Sequence, residues 1–148
     1  MRDVQQTTAG RPWHLWVIGV TGSLWSVMGL LSFGLTQMRV EAIMSRFPPQ
    51  QRAYFESFPA WAVGSWAIWV FAGLIGCIML LFRNRLASPV LLASLVATIV
   101  TNLGGLLLLG GMEVMRETEG LGMTAIPILL AAGLAYYARR MSRRGVLR

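Results

Sequence analysis

The stretch AWAVGSWAIWVFAGLIGCIMLLF, residues 60–82, contains no Asp, Glu, Lys or Arg. A helix needs about 20 apolar residues to cross the hydrocarbon core of a bilayer, so this run predicts a transmembrane helix. Working outward, similar runs cover residues 13–35, 89–111 and 121–138. The last run is near the short limit for a span, and Pro127 inside it predicts a kink. The sequence therefore predicts an all-α integral membrane protein, a bundle of four transmembrane helices.

The composition also indicates a membrane protein. The 148 residues are 55% apolar and 13% charged. That charged share is about half the share found in soluble domains. It excludes a soluble enzyme, whose surface needs more polar groups, and a disordered chain, which needs more charge. We expect one membrane domain over residues 1–148.

The arginines predict the orientation of the chain. Nine of the 13 basic residues, all arginine, lie in the two tails and in the connection after residue 82, and four lie on the other side. The positive-inside rule then places both termini in the cytoplasm, in a multi-pass protein of a bacterial inner membrane. Because topology explains the net charge of +7, we expect no nucleic-acid partner.

The connection of residues 37–58 is predicted to be an outer, periplasmic, amphipathic helical segment between the first two spans. Its apolar residues recur at the spacing of one helix face: Val40, Ile43, Met44 and Phe47. This helix either continues out of the first span or lies on the bilayer surface. The pair Pro48–Pro49 should end it, and Pro49 suits the first turn of a second helix over residues 50–57.

Aromatic residues cluster where the chain is expected to cross the membrane–water interface. On the inner side these are Trp13 and Trp16. On the outer side they are Tyr54, Phe55, Phe58 and Trp61. The basic tail of residues 139–148 should hold anionic lipid headgroups. Its headgroup anchors are Arg139, Arg140, Arg143 and Arg144.

Small residues recur at four-residue spacing within the spans, which lets helix backbones approach closely in lipid. We expect the following residues to form helix-packing contacts or an interface with a partner: Gly19, Gly22, Ser26, Ala97, Thr101 and Gly105. A buried polar site is a further hypothesis, formed by Ser65, Thr98 and Asn102. Asn102 either bonds to a neighbouring helix or lines a ligand site.

The sequence carries no recognisable catalytic motif. The spans contain no charged residue, which counts against a proton-coupled pump. His14 is the only histidine and Cys77 the only cysteine. The chain therefore has neither two histidines for a haem nor two thiolates for a metal. We therefore expect no enzyme activity, no metal and no cofactor. Whether a pigment, quinone or lipid is bound stays open.

Three segments resemble a group of small, uncharacterised bacterial inner-membrane proteins, some of which carry a sugar-transporter label. The segments are Arg11-Pro12-Trp13-His14-Leu15-Trp16, Thr36-Gln37-x-Arg39 and Tyr54-Phe55-x-Ser57-Phe58-Pro59-Ala60-Trp61. The resemblance covers about the first 85 residues. It implies a four-helix protein of the bacterial inner membrane and no particular activity. Here Ser26 stands where the group has an Asn, and the Asp near the outer end of the first span is missing.

Two functions fit these observations. The first is a non-catalytic accessory or assembly subunit that packs against a larger inner-membrane complex of the respiratory or photosynthetic kind. Its partners would be other membrane subunits. The alternative is a small-solute transporter that acts as a homo-oligomer, because four helices rarely enclose a path alone.

Overall fold

A computed structural model describes residues 13–117 and 120–147, and these residues form seven α-helices and no strand. The helices are α1 (Trp13–Gln37), α2 (Glu41–Met44), α3 (Pro49–Glu56), α4 (Ala60–Leu81), α5 (Ala87–Leu108), α6 (Gly111–Glu117) and α7 (Leu121–Arg143). Several residues used in the sequence predictions lie outside the described ranges: Arg2, Arg11, Pro12 and Arg148.

Among the described residues, three helices are long and apolar enough to cross a membrane: α1, α4 and α5. The prediction of membrane-spanning helices is confirmed for these three. The fourth predicted span lies in α7, a 23-residue helix that continues through Pro127. It extends to Arg143, so the first residues of the basic tail are helical.

The third span was predicted to end at residue 111, and this boundary is wrong. Helix α5 ends at Leu108, and α6 begins at Gly111 after a short turn. Gly110 has a φ of 68°, a left-handed conformation that glycine adopts without a steric penalty. The turn is therefore built into the sequence by the glycine pair at positions 110 and 111.

The long helices pack in the order α1, α4, α5 and α7, with α4 against both α1 and α5. Two glycines allow this close approach. A Cβ atom at Gly76 would lie 2.6 Å from Leu91 Cγ, and one at Gly73 would lie 3.2 Å from Ser94 Oγ. Ser94 donates a hydrogen bond to the carbonyl oxygen of Trp69, 2.9 Å away, which also links α5 to α4.

The end of the bundle that carries residues 82–86 and 139–147 is called here the arginine end. Its core contains Leu15, Leu80 and Leu91, each no more than 2% exposed. Arg83 has a φ of 60° and donates from Nε to the carbonyl oxygen of Val146, 3.0 Å away. The chain after α7 is thereby folded back onto the connection between α4 and α5.

The opposite end is covered by α2, α3 and α6, which together are called here the cap. The predicted continuation of the first span into the connection is wrong, because α1 ends at Gln37 and Arg39 adopts a φ of 50°. The following helix, α2, has only four residues. The second helix begins at Pro49 in its first turn, as the sequence predicts. The cap thus consists of short, separate helices.

Tyr54 fixes the cap to the bundle. Its side chain is 7% exposed. Its hydroxyl oxygen lies where a Cβ atom at Gly105 or Gly111 would have to be placed. Only glycine at these two positions leaves room for the ring, so α3 sits directly on the junction of α5 and α6.

Candidate functional site

A cavity of about 410 Å³ lies beneath the cap, between α1, α4, α5 and α7. Its volume is within the range of small-molecule sites, about 300–1,000 Å³. Seven of its lining residues are aromatic: Trp25, Phe47, Tyr54, Phe55, Phe58, Trp66 and Trp69. None of the described residues that line it carries a charge. The cavity therefore suits an uncharged, largely apolar molecule.

The aromatic side chains form a contact network that joins the cap to α4. The Phe55 and Phe58 rings lie 6.0 and 6.2 Å from the Trp66 ring, and Tyr54 meets Phe58 edge to face at 5.0 Å. Such arrangements favour aromatic packing beyond simple burial. The wall of the cavity under α3 is consequently held in place by the same rings that a ligand would contact.

Helix α5 contributes two polar residues to the cavity wall, Thr101 and Asn102. Asn102 donates from Nδ2 to the carbonyl oxygen of Thr98, 2.8 Å away. A primary amide has a second N–H and a carbonyl oxygen, so Asn102 keeps one donor and one acceptor for a molecule in the cavity. Thr101 also lines the cavity, and its Oγ1 lies 2.8 Å from Ser65 Oγ.

The three residues of the predicted polar site do not all line the cavity. Asn102 lines the cavity, and Ser65 reaches it through Thr101. Thr98 is fully buried, donates from Oγ1 to the carbonyl oxygen of Ser94 at 2.7 Å, and does not line the cavity. Asn102 is therefore the member of the predicted set best placed to contact a ligand.

The cavity is open on one side, between α1 and α7. Near the arginine end these helices touch, because His14 Nδ1 lies 2.5 Å from Tyr137 Oη. A Cβ atom at Gly22 would also lie 3.0 Å from Leu134 Cδ2. At the level of the cavity, the lining residues Met28 and Ile126 are 64% and 49% exposed. These exposed lining residues mark a lateral opening of the cavity between α1 and α7.

The six small residues predicted for packing or a partner interface are all buried within the chain: Gly19, Gly22, Ser26, Ala97, Thr101 and Gly105. Gly19 faces Leu81 of α4, and Gly105 faces Tyr54 of the cap. These positions serve contacts within the chain, so a partner subunit would have to use other residues.

The predicted interfacial aromatics fall into two groups. Trp13, Trp16 and Trp61 are 75%, 47% and 42% exposed, as a side chain at a lipid interface would be. Tyr54, Phe55 and Phe58 instead line the cavity, together with Trp66 and Trp69. The sequence reasoning missed Trp66 and Trp69 of α4. Their spacing of three residues, which places both on one helix face, was the available signal.

The charged side chains lie at the two ends of the bundle. The predicted lipid anchors are exposed at the arginine end: Arg139, Arg140, Arg143 and Arg144. At the other end, Arg52 pairs with Glu41 at 3.2 Å and with Glu56 at 3.3 Å, which links α2 to α3. The hydrogen bond from Arg52 to Glu41, followed by that to Glu56, raises the pKa of Arg52.

No group of His, Cys, Asp and Glu that could hold a metal occurs in the described part of the chain. Comparison with family models, with curated proteins and with solved structures finds no match to this chain. The resemblance to small bacterial inner-membrane proteins stays a prediction. The fold itself defines an all-α protein with three helices able to span a membrane and one aromatic, uncharged cavity.

Proposed function

We propose that this chain binds a small, uncharged molecule in the cavity beneath the cap and takes part in its transport across a bacterial inner membrane as an oligomer. The observation that carries the proposal is the cavity itself. It combines a volume of about 410 Å³ with aromatic walls, the amide of Asn102 and no charge on any described lining residue. Sites for small molecules have this composition, apolar walls with a few placed polar groups.

The proposal includes four spans, with α7 as the fourth. Helix α7 has 23 residues. Its residues before the arginines, 121–138, extend about 27 Å at 1.5 Å per residue, near the short limit for a hydrocarbon core of about 30 Å, and the arginine side chains can reach the headgroups beyond it. Helix α7 packs along α5, which meets the criteria for a span. A helix packed beside a transmembrane helix over this length would share its membrane environment.

The proposed orientation places the arginine end in the cytoplasm. The described acidic side chains Glu41, Glu56 and Glu113 all belong to the cap or its connections, and the exposed arginines of α7 lie at the other end. The positive-inside rule counts basic residues, and the arginine end carries more of them than the cap end. The cap is then periplasmic, and the arginines of α7 face anionic lipid headgroups.

Transport through a single chain would require a path past the arginine end. That end is filled by Leu15, Leu80 and Leu91, which are at most 2% exposed. A path along a surface shared by two or more copies avoids this barrier. Oligomerisation is therefore part of the proposal.

The accessory-subunit hypothesis is the second proposal. It has less support, because the small residues that suggested a partner interface, such as Gly19 and Gly22, contact other helices of the same chain. Extraction in a mild detergent, followed by a native gel and mass spectrometry, separates the two proposals. Migration inside a large stoichiometric assembly would favour the accessory subunit, and migration as a small homo-oligomer would favour the transporter.

Binding can be tested directly with 4-bromobenzyl alcohol, an uncharged ring compound whose bromine quenches tryptophan fluorescence. Trp66 and Trp69 line the cavity, so binding should cause saturable quenching. Gly29→Leu should abolish it, because Gly29 lines the cavity and a Cβ atom there would have only Val70 Cγ1 close by, at 3.4 Å. Gly34→Leu is the matched control on α1, since nothing lies within 4 Å of a Cβ atom there.

Quenching that does not saturate, or that is equal in the two variants, would refute the proposed binding site. The transport step has its own test in proteoliposomes supplied with a panel of radiolabelled neutral solutes. Uptake should require Asn102, so Asn102→Leu should abolish it. Vesicles that take up none of the solutes would refute transport and leave binding to be judged by the quenching experiment.

A further inference from the structure

We infer that the cavity opens sideways into the bilayer and takes an uncharged, membrane-dissolved amphiphile, with an oxygen-bearing head in the cavity and an apolar chain emerging between α1 and α7. This inference rests on the proposed function, since it names the ligand class and the route to the same site. Four features of the structure support it: the depth of the opening, its apolar surroundings, the cover above it and the chemistry of its wall.

The depth of the opening places it in hydrocarbon. Met28 lies nine residues before the end of α1 at Gln37, about 14 Å along the helix. Ile126 lies five residues after the start of α7 at Leu121, about 8 Å along it. In a bilayer whose core is about 30 Å thick, positions this far inside the helix ends face lipid chains rather than water.

The surface around the opening is apolar on both helices. On α1, Leu24 and Leu31 flank Met28 and are 63% and 59% exposed. On α7, Leu129 is 70% exposed, one turn beyond Ile126. A polar solute would have to cross this surface without hydrogen-bond partners, which is costly in hydrocarbon. A molecule already dissolved in the bilayer meets no such barrier.

The cap covers the direct route from water. Met44 of α2 is 1% exposed, and Tyr54 of α3 is 7% exposed. The two helices are joined through Arg52, which bonds to Glu41 in α2 and to Glu56 in α3. The lateral opening is therefore better suited to admit a ligand than the face beneath the cap.

The chemistry of the wall selects the head of the ligand. The polar lining consists of hydroxyl and amide groups, from residues such as Thr36, Thr101, Asn102 and Thr124. These groups can donate to or accept from an alcohol, ester or carbonyl oxygen. A charged head would have no opposite charge among the described lining residues. Quinones and acylglycerols share the required chemistry, an uncharged oxygen head on a long apolar chain.

The test uses proteoliposomes of dioleoylphosphatidylcholine and tryptophan quenching. The three tryptophans that do not line the cavity are replaced by phenylalanine, namely Trp13, Trp16 and Trp61, which leaves the lining residues Trp25, Trp66 and Trp69 as reporters. Two amphiphiles are compared, a monoacylglycerol with a dibrominated chain and decyl-benzoquinone. Dibrominated phosphatidylcholine, whose head is zwitterionic, measures contact with bulk lipid. We expect saturable quenching by at least one of the uncharged amphiphiles, at mole fractions where the brominated phospholipid quenches little.

Variants at the opening test the route. Met28→Phe and Ile126→Phe narrow the opening with an apolar side chain, and Leu24→Phe and Leu129→Phe make the same change on neighbouring exposed positions that do not line the cavity. A steric conflict with the chain of the ligand should raise the half-quenching mole fraction about tenfold in the first pair. The second pair should leave it unchanged, which also controls for folding and insertion.

The possible results separate this inference from the proposal on which it rests. Quenching by decyl-benzoquinone alone would assign a ring-bearing head, and quenching by the monoacylglycerol alone would assign an acyl lipid. If neither exceeds the brominated phospholipid while 4-bromobenzyl alcohol still binds, the inference fails and the binding site stands. If the alcohol fails as well, both fail. Equal effects of the two pairs of variants would overturn the lateral route.

Discussion

Replacement of Gly76 by alanine should weaken the packing of α4 on α5, the two helices with the most extensive contact. The added Cβ atom would lie 2.6 and 2.7 Å from Leu91 Cγ and Cδ2, and 3.4 Å from the Leu91 backbone nitrogen. Leu91 is 2% exposed, so its side chain is enclosed by its neighbours. Overpacking of this kind costs about 1–3 kcal/mol. The helices must separate or the leucine must leave its preferred rotamer.

Gly64→Ala is the matched control, because Gly64 lies on the same helix and nothing lies within 4 Å of a Cβ atom there. Both substitutions gain the same helix propensity, up to about 1 kcal/mol. Their difference therefore isolates the steric conflict, and Gly76→Ala should unfold more easily than Gly64→Ala by about 1–3 kcal/mol.

The single cysteine offers a convenient assay for this comparison. Cys77 is fully buried, so a thiol-reactive fluorophore should label it only when the helices separate. Thermal labelling curves in detergent, supported by far-ultraviolet circular dichroism, give the unfolding midpoints of both variants. Equal midpoints for Gly76→Ala and Gly64→Ala would refute the close packing of α4 on α5 at this position.

Three further changes test other parts of the structure. Tyr54→Ala should destabilise the cap by about 3–5 kcal/mol in thermal unfolding, with Tyr54→Phe much milder. Burial raises the pKa of Tyr54 above its ordinary value of 10.0, so the neutral ring stabilises the cap below that pH. This stability should be lost as the pH rises through the higher pKa of the folded state. If phenolate absorbance appears while the fluorescence of the cap stays constant, the expected loss of stability is contradicted. Ser94→Ala removes the bond to the Trp69 carbonyl and should cost about 1 kcal/mol or less, whereas Ser45→Ala at an exposed position should cost nothing measurable. Glutamine at all four arginines from Arg139 to Arg144 should reduce the phosphatidylglycerol that copurifies with the protein, and an equal reduction by Arg52→Gln at the cap would argue against lipid binding at the arginine end.

The helices were largely predictable because their determinants are local. Uninterrupted apolar runs predict α1 and α4 to within two residues, and Pro49 predicts the start of α3. The errors arose where a single backbone conformation decides the outcome. Arg39 adopts a left-handed φ that nothing in the periodicity of residues 40–47 indicates, and the turn at Gly110 ends α5 three residues early.

The candidate site was predictable only in part, because it depends on contacts between distant segments. Asn102 was expected either to bond to a neighbouring helix or to line a ligand site; it bonds to Thr98 within α5 and lines the cavity. Tyr54, Phe55 and Phe58 were assigned to the lipid interface, since aromatic residues near a span end are typical of one. Their burial against Trp66 depends on how α3 folds back over α4, and no local pattern encodes that.

The distribution of side-chain size along the bundle explains why the cavity lies where it does. Toward the arginine end, α1 presents Gly19 and Gly22 to its neighbours, and the helices approach closely. Toward the cap it presents Trp25 and Met28, and the helices are kept apart. The result is a wedge between α1 and α7 that is closed at one end and open to the side at the other. Because of this change in side-chain size along α1, the small residues make contacts within the chain, and Asn102 remains accessible. A partner subunit or a ligand would therefore bind in the open part of the wedge. Whether a subunit or a ligand binds there decides between the proposed functions.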